Sequence, residues 1–260
     1  MTIRAIAALA LILLPFAPAM AQDTEDQGPR RTRVILGPQL VPRFPGADSV
    51  AVRPYIDVSR TRGDRPFAFE APDESTSISI YNRDGLSFGP AIGFEGKRRR
   101  RDVGGLDEVG FSFELGAAAQ YQVARNIRLS VEGRKGLSGH KGLTGMIGAD
   151  YIQRDGNSWL WSIGPRLTLG DGRYARAYFG VSPREALATG VPAFRPDGGL
   201  LSAGATGSAH RQLTERWGVF GYAKYDRLLG DAGDSPVVRR FGSRDQLSGG
   251  VGVSYTFGPR

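Results

Sequence analysis

The stretch "VGFSFELGAAAQYQV", Val109 to Val123, decides the fold class. Its odd positions are Val109, Phe111, Phe113, Leu115, Ala117, Ala119, Tyr121 and Val123, and its even positions are Gly110, Ser112, Glu114, Gly116, Ala118, Gln120 and Gln122. A period of two sends successive side chains to opposite faces of a strand, so one face here is apolar and the other small or polar. The alternation holds for 15 residues, well beyond the roughly 5–6 residues of an ordinary strand. It returns in Ile127–Arg134, Trp159–Leu169 and Leu247–Phe257. A soluble sandwich hides its apolar face and shows polar residues to water. A membrane barrel inverts that arrangement, with apolar residues toward lipid and polar ones toward the lumen. Strand length, together with small and charged residues on the second face, predicts the barrel.

The first residues agree with export. "MTIRAIAALALILLPFAPAMA" has basic Arg4, an apolar run from Ala5 to Phe16 and a small-x-small site at Ala19-Met20-Ala21. This predicts a signal peptide over 1–21, a short polar periplasmic leader over 22–31 and a barrel over 32–260. Trp159, Trp161, Trp217, Tyr222, Tyr225, Tyr255 and Phe257 fall near strand ends, where amphipathic rings sit at headgroup level. The expected location is the outer membrane of a Gram-negative envelope.

Composition removes several alternatives. The chain has no cysteine, so disulfides and thiolate metal sites are excluded. Only His140 and His210 offer imidazole, too few for a zinc or iron site, and no cofactor is expected. The net charge of +8 and the run Lys97-Arg98-Arg99-Arg100-Arg101 invite a nucleic-acid reading, but export removes that partner. Anionic murein, an acidic protein face or lipopolysaccharide phosphate remain for this run, beside the plain reading of a solvated charge cluster. "GGVGVS", Gly249–Ser254, is a barrel strand and not a phosphate loop, because no helix follows it. Ser208 with His210, and Ser138 with His140, resemble hydrolase pairs, but no orienting carboxylate accompanies either. The chain is read as non-enzymatic.

The pattern places twelve strands, at about 32–43, 49–61, 67–81, 86–96, 109–123, 127–135, 141–153, 158–169, 173–181, 198–211, 216–229 and 245–257. With both termini in the periplasm, 44–48, 82–85, 124–126, 154–157, 182–197 and 230–244 face outward. On the same count 62–66, 97–108, 136–140, 170–172 and 212–215 face the periplasm. Glu114, Arg128, Glu132, Arg134 and Arg166 point into the lumen and either line a pore or close it by pairing.

"RLLGDAGDSPVVRR", Arg227–Arg240, crosses from a strand top into a long loop. Asp226, Asp231 and Asp234 offer oxygen to a hard cation but lack EF-hand spacing. Arg227, Arg239 and Arg240 lie close enough to neutralise them, while Gly230, Gly233 and Pro236 shape turns. A loop held by its own ion pairs is expected, with no metal. Asp231, Asp234, Ser235, Pro236, Arg239 and Arg240 join Lys97–Arg101 as the candidate interaction residues.

This segment also carries a resemblance. Phe179-Gly180-Val181-Ser182, Gly190-Val191-Pro192, Gly198-Gly199, Leu229-Gly230-Asp231-Ala232 and Asp234-Ser235-Pro236 resemble the signature segments of the MipA/OmpV family of MltA-interacting outer-membrane proteins. The likeness extends over Leu86–Arg98, Gly105–Tyr121 and Gly133–Gly142. It departs where Thr189 stands for a serine and where Phe257 is followed by Gly258-Pro259-Arg260 instead of ending the chain. The resemblance implies a scaffold that brings a lytic transglycosylase and a murein synthase together in peptidoglycan assembly, and it implies no catalytic residue. Other members are described as adhesins, and a small diffusion channel is the remaining alternative.

Overall fold

The computed structural model describes residues 28–258. The expected signal peptide, 1–21, and most of the leader lie outside these residues. The chain forms β1 (Arg30–Pro42), β2 (Val50–Arg62), β3 (Thr76–Ser77), β4 (Tyr81–Arg83), β5 (Leu86–Glu95), β6 (Ser112–Ala124), β7 (Ile127–Gly136), β8 (Leu143–Asp155) and β9 (Trp159–Gly170). After β9 come helices α1 (Gly172–Phe179) and α2 (Pro183–Thr189), then β10 (Gly199–Gln212) and β11 (Trp217–Leu228). Short helices α3 (Gly230–Asp234) and α4 (Pro236–Phe241) precede β12 (Asp245–Phe257).

All twelve strands join one antiparallel sheet, in the order β2-β1-β12-β11-β10-β9-β8-β7-β6-β5-β3, with β4 also on β5. Consecutive strands from β5 to β12 are neighbours, and β12 closes onto β1 with Val34 opposite Tyr255. The sheet curls so that Tyr55 of β2 stacks on Phe220 of β11 across the interior. Its faces are inverted relative to a soluble protein. Val251 is 62% exposed on the outside, whereas Arg166 is 1% exposed on the inside. Such a wall suits hydrocarbon outside and a polar lumen within.

Two of the expected strands are corrected. Residues 173–181 are not a strand but α1, which begins where Asp171 accepts a hydrogen bond from the Tyr174 N–H at 2.8 Å. Its buried residues are Tyr174, Ala175, Tyr178 and Phe179, a helical stripe at i, i+1, i+4 and i+5. Residues 67–81 do not form one strand either. Pro72 interrupts the ladder, and 63–75 leaves the wall to thread the lumen. Pairing resumes only at Thr76, opposite Ile92.

These changes reset the ends of the barrel. The threaded segment runs back inside before β3 begins, which reverses β5 through β9, and losing the strand at 173–181 restores β10 through β12. The turns 84–85, 125–126, 156–158 and 213–216 therefore share one end with both chain termini. The opposite end carries 43–49, 96–111, 137–142, 171–198 and 229–244. The basic run 97–101 accordingly lies beside 182–197 and 230–244, not across the membrane from them.

The conventional hydrophobic core sits beneath these long connections. Phe44, Leu106, Tyr178, Phe179, Val191 and Val237, from four of the five connections, pack into one buried cluster above Leu201 and Leu228 of the wall. The result is a helical cap over the barrel.

Candidate functional site

The lumen is braced by the segment 63–75, which climbs from the short-turn end. At its start the Phe67 N–H donates to Asn157 Oδ1 at 3.0 Å. Farther up, Asp73 accepts from Arg166 Nε at 3.1 Å and from the Thr206 hydroxyl at 2.8 Å, and it lies 3.2 Å from Lys224 Nζ. Glu74 accepts from Arg128 Nη2 at 2.6 Å. Asp150 of β8 joins the two arginines, accepting from Arg166 Nη2 at 2.7 Å and from Arg128 Nη2 at 3.1 Å. Ser75 then donates from its hydroxyl to Glu132 Oε1 at 3.2 Å and accepts from Arg134 Nη1 at 2.7 Å. Four carboxylates (Asp73, Glu74, Glu132, Asp150) and four cations (Arg128, Arg134, Arg166, Lys224) thus interlock β7, β8, β9 and β11 with the strap. Buried charges hold only when partners satisfy them, and each of these has at least two.

A second cluster lies toward the cap. Glu114 accepts from Arg134 Nε at 2.7 Å and contacts His140 Nε2 at 2.8 Å, while Arg134 also pairs with Glu132. His140 Nδ1 accepts from the Gly142 N–H at 3.0 Å, so Nε2 carries the proton toward Glu114. Both ring nitrogens are engaged, which makes His140 a brace. The suspected hydrolase pairs separate. Ser138 accepts from the Phe113 N–H at 2.9 Å, Ser208 bonds Ser162 at 2.8 Å, and His210 bonds Ser254 at 2.9 Å.

All five charged residues expected in the lumen, Glu114, Arg128, Glu132, Arg134 and Arg166, are there. Sequence reading missed Asp73, Glu74, Asp150 and Lys224. The signal was the acid-rich "EAPDE", Glu70–Glu74, around Pro72, which suits an inner segment better than a lipid-facing strand.

The candidate interaction residues gather on the cap with different roles. Arg98 is 3% exposed and inward, donating to the Tyr178 carbonyl at 2.9 Å and the Asp107 carbonyl at 2.8 Å. Lys97, Arg99, Arg100 and Arg101 are exposed, with Arg100 paired to Asp107. The three aspartates in and beside Arg227–Arg240 diverge. Asp226 pairs with Lys224 at 3.1 Å inside the barrel. Asp231 accepts from the Asp197 N–H at 3.0 Å and ties 229–244 to 171–198. Asp234 pairs with Arg244 at 2.5 Å and Arg239 at 3.6 Å. Ser235 is fully buried, donating to the Phe179 carbonyl at 2.6 Å and capping α4, where Pro236 takes the first position. Arg240 lies over the Phe241 ring at 5.7 Å.

The residues now placed in the cap are those of the signature segments, and residues 34–257 match the family described as MltA-interacting protein MipA. The chain belongs to the MipA family. As a MipA-family barrel it has no similar protein among the curated ones. Solved structures similar to it include the COG4313 outer membrane channel from Pseudomonas putida F1, with TM-score 0.43 and 9% identity over 88% of this chain and 96% of that one. The translocator domain of autotransporter NalP from Neisseria meningitidis follows at TM-score 0.32 and 11% identity, covering 90% of each chain. The CymD monoaromatic hydrocarbon channel is similar at TM-score 0.33 and 10% identity, covering 88% of each. Scores this low carry nothing about what the MipA-family chain does.

Proposed function

We propose that this MipA-family protein is a non-enzymatic outer-membrane barrel that serves as a docking scaffold in peptidoglycan assembly. The observation behind this reading is the strap. A lumen crossed by 63–75 and locked through Asp73 and Glu74 is poorly suited to conduct, which favours a role at the ends of the barrel over the channel alternative. Barrels keep short turns in the periplasm and long loops outside, so the short-turn end faces the murein. Exposed Arg60, Arg125 and Arg211 make that end cationic, a match for an acidic protein face. The family's name points to a murein hydrolase as the partner, and a murein synthase would join it there. In the same orientation Lys97, Arg99, Arg100, Arg101, Arg239 and Arg240 meet the phosphates of lipopolysaccharide.

The test is a pull-down from solubilised membranes with the full chain and with Arg60, Arg125 and Arg211 all changed to Gln. A hydrolase and a synthase recovered with the first and depleted with the second supports the scaffold. Recovery of neither with the unchanged chain ends it.

A further inference from the structure

Between the strap and the cap lies a cavity of about 800 Å³, within the roughly 300–1,000 Å³ of small-molecule sites. Its lining shows how it is entered. On β5, Gly93 and Glu95 face the lumen while Ile92 and Phe94 face outward, yet all four line this one cavity. On β2, inward Arg53 and outward Pro54 both line it as well. A cavity lined by both faces of two strands passes between their edges. Among the described residues β2 has a ladder only to β1, and β5, paired to 76–83 as far as Ile92, has no partner on that side at Gly93–Glu95. The cavity therefore opens sideways through the wall. At the rim the backbone of Gly96 comes so close to the Arg43 carbonyl and the Arg53 guanidinium that any side chain there would collide with both.

The slot is chemically divided. Its roof is the underside of the cap, with Tyr174 and Phe179, flanked by Leu201 and Leu228 of the wall. Its rim is cationic, with Arg43, Arg53, Lys97 and Arg99. Deeper cations are neutralised, Arg134 by Glu114 and Glu132, and Lys224 by Asp73 and Asp226. Among the described residues none of the four rim cations has a carboxylate at ion-pair distance, and Arg43 Nε is buried without a hydrogen-bond partner. Glu95, the acid nearest the rim, accepts from its neighbour's backbone, the Gly96 N–H, at 2.9 Å. Outside, Phe94 stacks on Phe111 with ring centroids 5.9 Å apart, an apolar threshold facing the bilayer.

We infer that this slot is a lateral binding site for an amphiphile with one acyl chain and an anionic head. The head sits among Arg43, Arg53, Lys97 and Arg99, where unpaired cations favour a phosphate or carboxylate. The chain passes Phe94 and lies under the apolar roof. Entry is from the membrane, since the cap closes one end of the lumen and the strap crosses the other. The inference rests on the wall standing in lipid and is independent of the scaffold reading.

The experiment uses the full chain, folded in detergent. Palmitate, lysophosphatidylglycerol, lysophosphatidylcholine and inorganic phosphate are titrated in turn, with binding read by native mass spectrometry. Saturable one-to-one binding of lysophosphatidylglycerol or palmitate is expected, and the tighter of the two identifies the head as phosphate or carboxylate. Losing the charge-assisted contacts in Arg43→Gln with Arg53→Gln weakens that binding by about tenfold or more. Lysophosphatidylcholine binds correspondingly weakly, and phosphate alone does not saturate. If the double variant loses the heat-modifiable folded band, Lys97→Gln with Arg99→Gln, both on exposed side chains, takes its place. No saturable binding of either anionic amphiphile, equal binding of the zwitterion, equal binding by the folded variant, or full affinity for phosphate alone would each overturn the proposal.

Discussion

Arg166 of β9 and Asp73 of the strap meet inside the barrel, Nε to Oδ2 at 3.1 Å, although 93 positions separate them in the chain. Both side chains are nearly inaccessible, at 0% and 6% exposure. Removing the acid leaves each buried cation one carboxylate fewer, with only Asp150 for Arg166 and only Asp226 for Lys224. Asp73→Ala leaves Arg166 and Lys224 facing each other without their shared carboxylate, at a cost of about 3–5 kcal/mol. The folded, faster-migrating gel band should then convert to the unfolded band at a clearly lower temperature than in the unchanged chain. Asp84→Ala, in an exposed turn, should leave that temperature in place. Equal conversion temperatures for the two variants would mean the pair does not brace the lumen.

The strap also predicts electrical silence. Because 63–75 crosses the lumen and its carboxylates are neutralised in place, the unchanged protein should give no stable conductance steps in planar bilayers. Replacing 64–75 with a short glycine-serine linker removes Asp73 and Glu74 and should open steady steps. Large stable steps from the unchanged chain would restore the channel reading.

The cap should melt apart from the barrel. Phe179 is 1% exposed within the cap cluster. Phe179→Ala deletes a buried ring, worth about 3–5 kcal/mol. Hydrogen exchange should rise across 171–198 and 229–244 while β6 to β8 stay protected. Uniform loss of protection would show that cap and barrel fold as one unit.

Asp231 and Asp234 hold 229–244 in a different way, by an exposed backbone bond and exposed ion pairs. Pairs of this kind contribute only about 0–1 kcal/mol each. Asp231→Ala with Asp234→Ala should leave assembly intact but admit added protease to this connection. Calcium and magnesium should not protect the unchanged loop, and strong divalent protection abolished by the double variant would mean the aspartates hold a cation.

Glu185 gives the cap a pH dependence. Burial works to raise its carboxyl, but the Ser182 hydroxyl, the Ser182 N–H and the Asp107 N–H outweigh it and hold the group below the usual glutamate value. A carboxyl depressed in the folded state adds stability above its unfolded value, about 4.3, and that contribution fades as pH falls below it. Protease sensitivity of 182–197 should therefore rise as pH drops through about 4.3, and Glu185→Gln should flatten the dependence. An unchanged profile in that variant would remove the capping box as its source.

What was legible in the sequence follows one rule. Wherever a strand stands between lipid and lumen, its two faces differ chemically, and the period of two in Val109–Val123 or Leu247–Phe257 records that difference residue by residue. The same alternation placed Glu114, Glu132 and Arg166 in the lumen. The helices carried signals too. Ser182-Pro183-Arg184-Glu185 is a capping box with proline at the first position, and Ser235-Pro236 is a second helix start. Near a run of strands these short helices passed as loop and strand.

The sequence alone thus determined a cysteine-free barrel of long strands with charges turned inward, because local periodicity and composition suffice for that. Tertiary structure alone decided that 63–75 leaves the wall, since Asp73 and Glu74 find Arg166, Lys224 and Arg128 only once distant strands have curled around them. It alone set which connections share an end, because the reversal inside the lumen flips five strands without marking any of them. The gap between β2 and the end of β5 beyond Ile92 is of the same kind: it depends on how far the sheet curls, a sum over every strand pair that no single segment encodes.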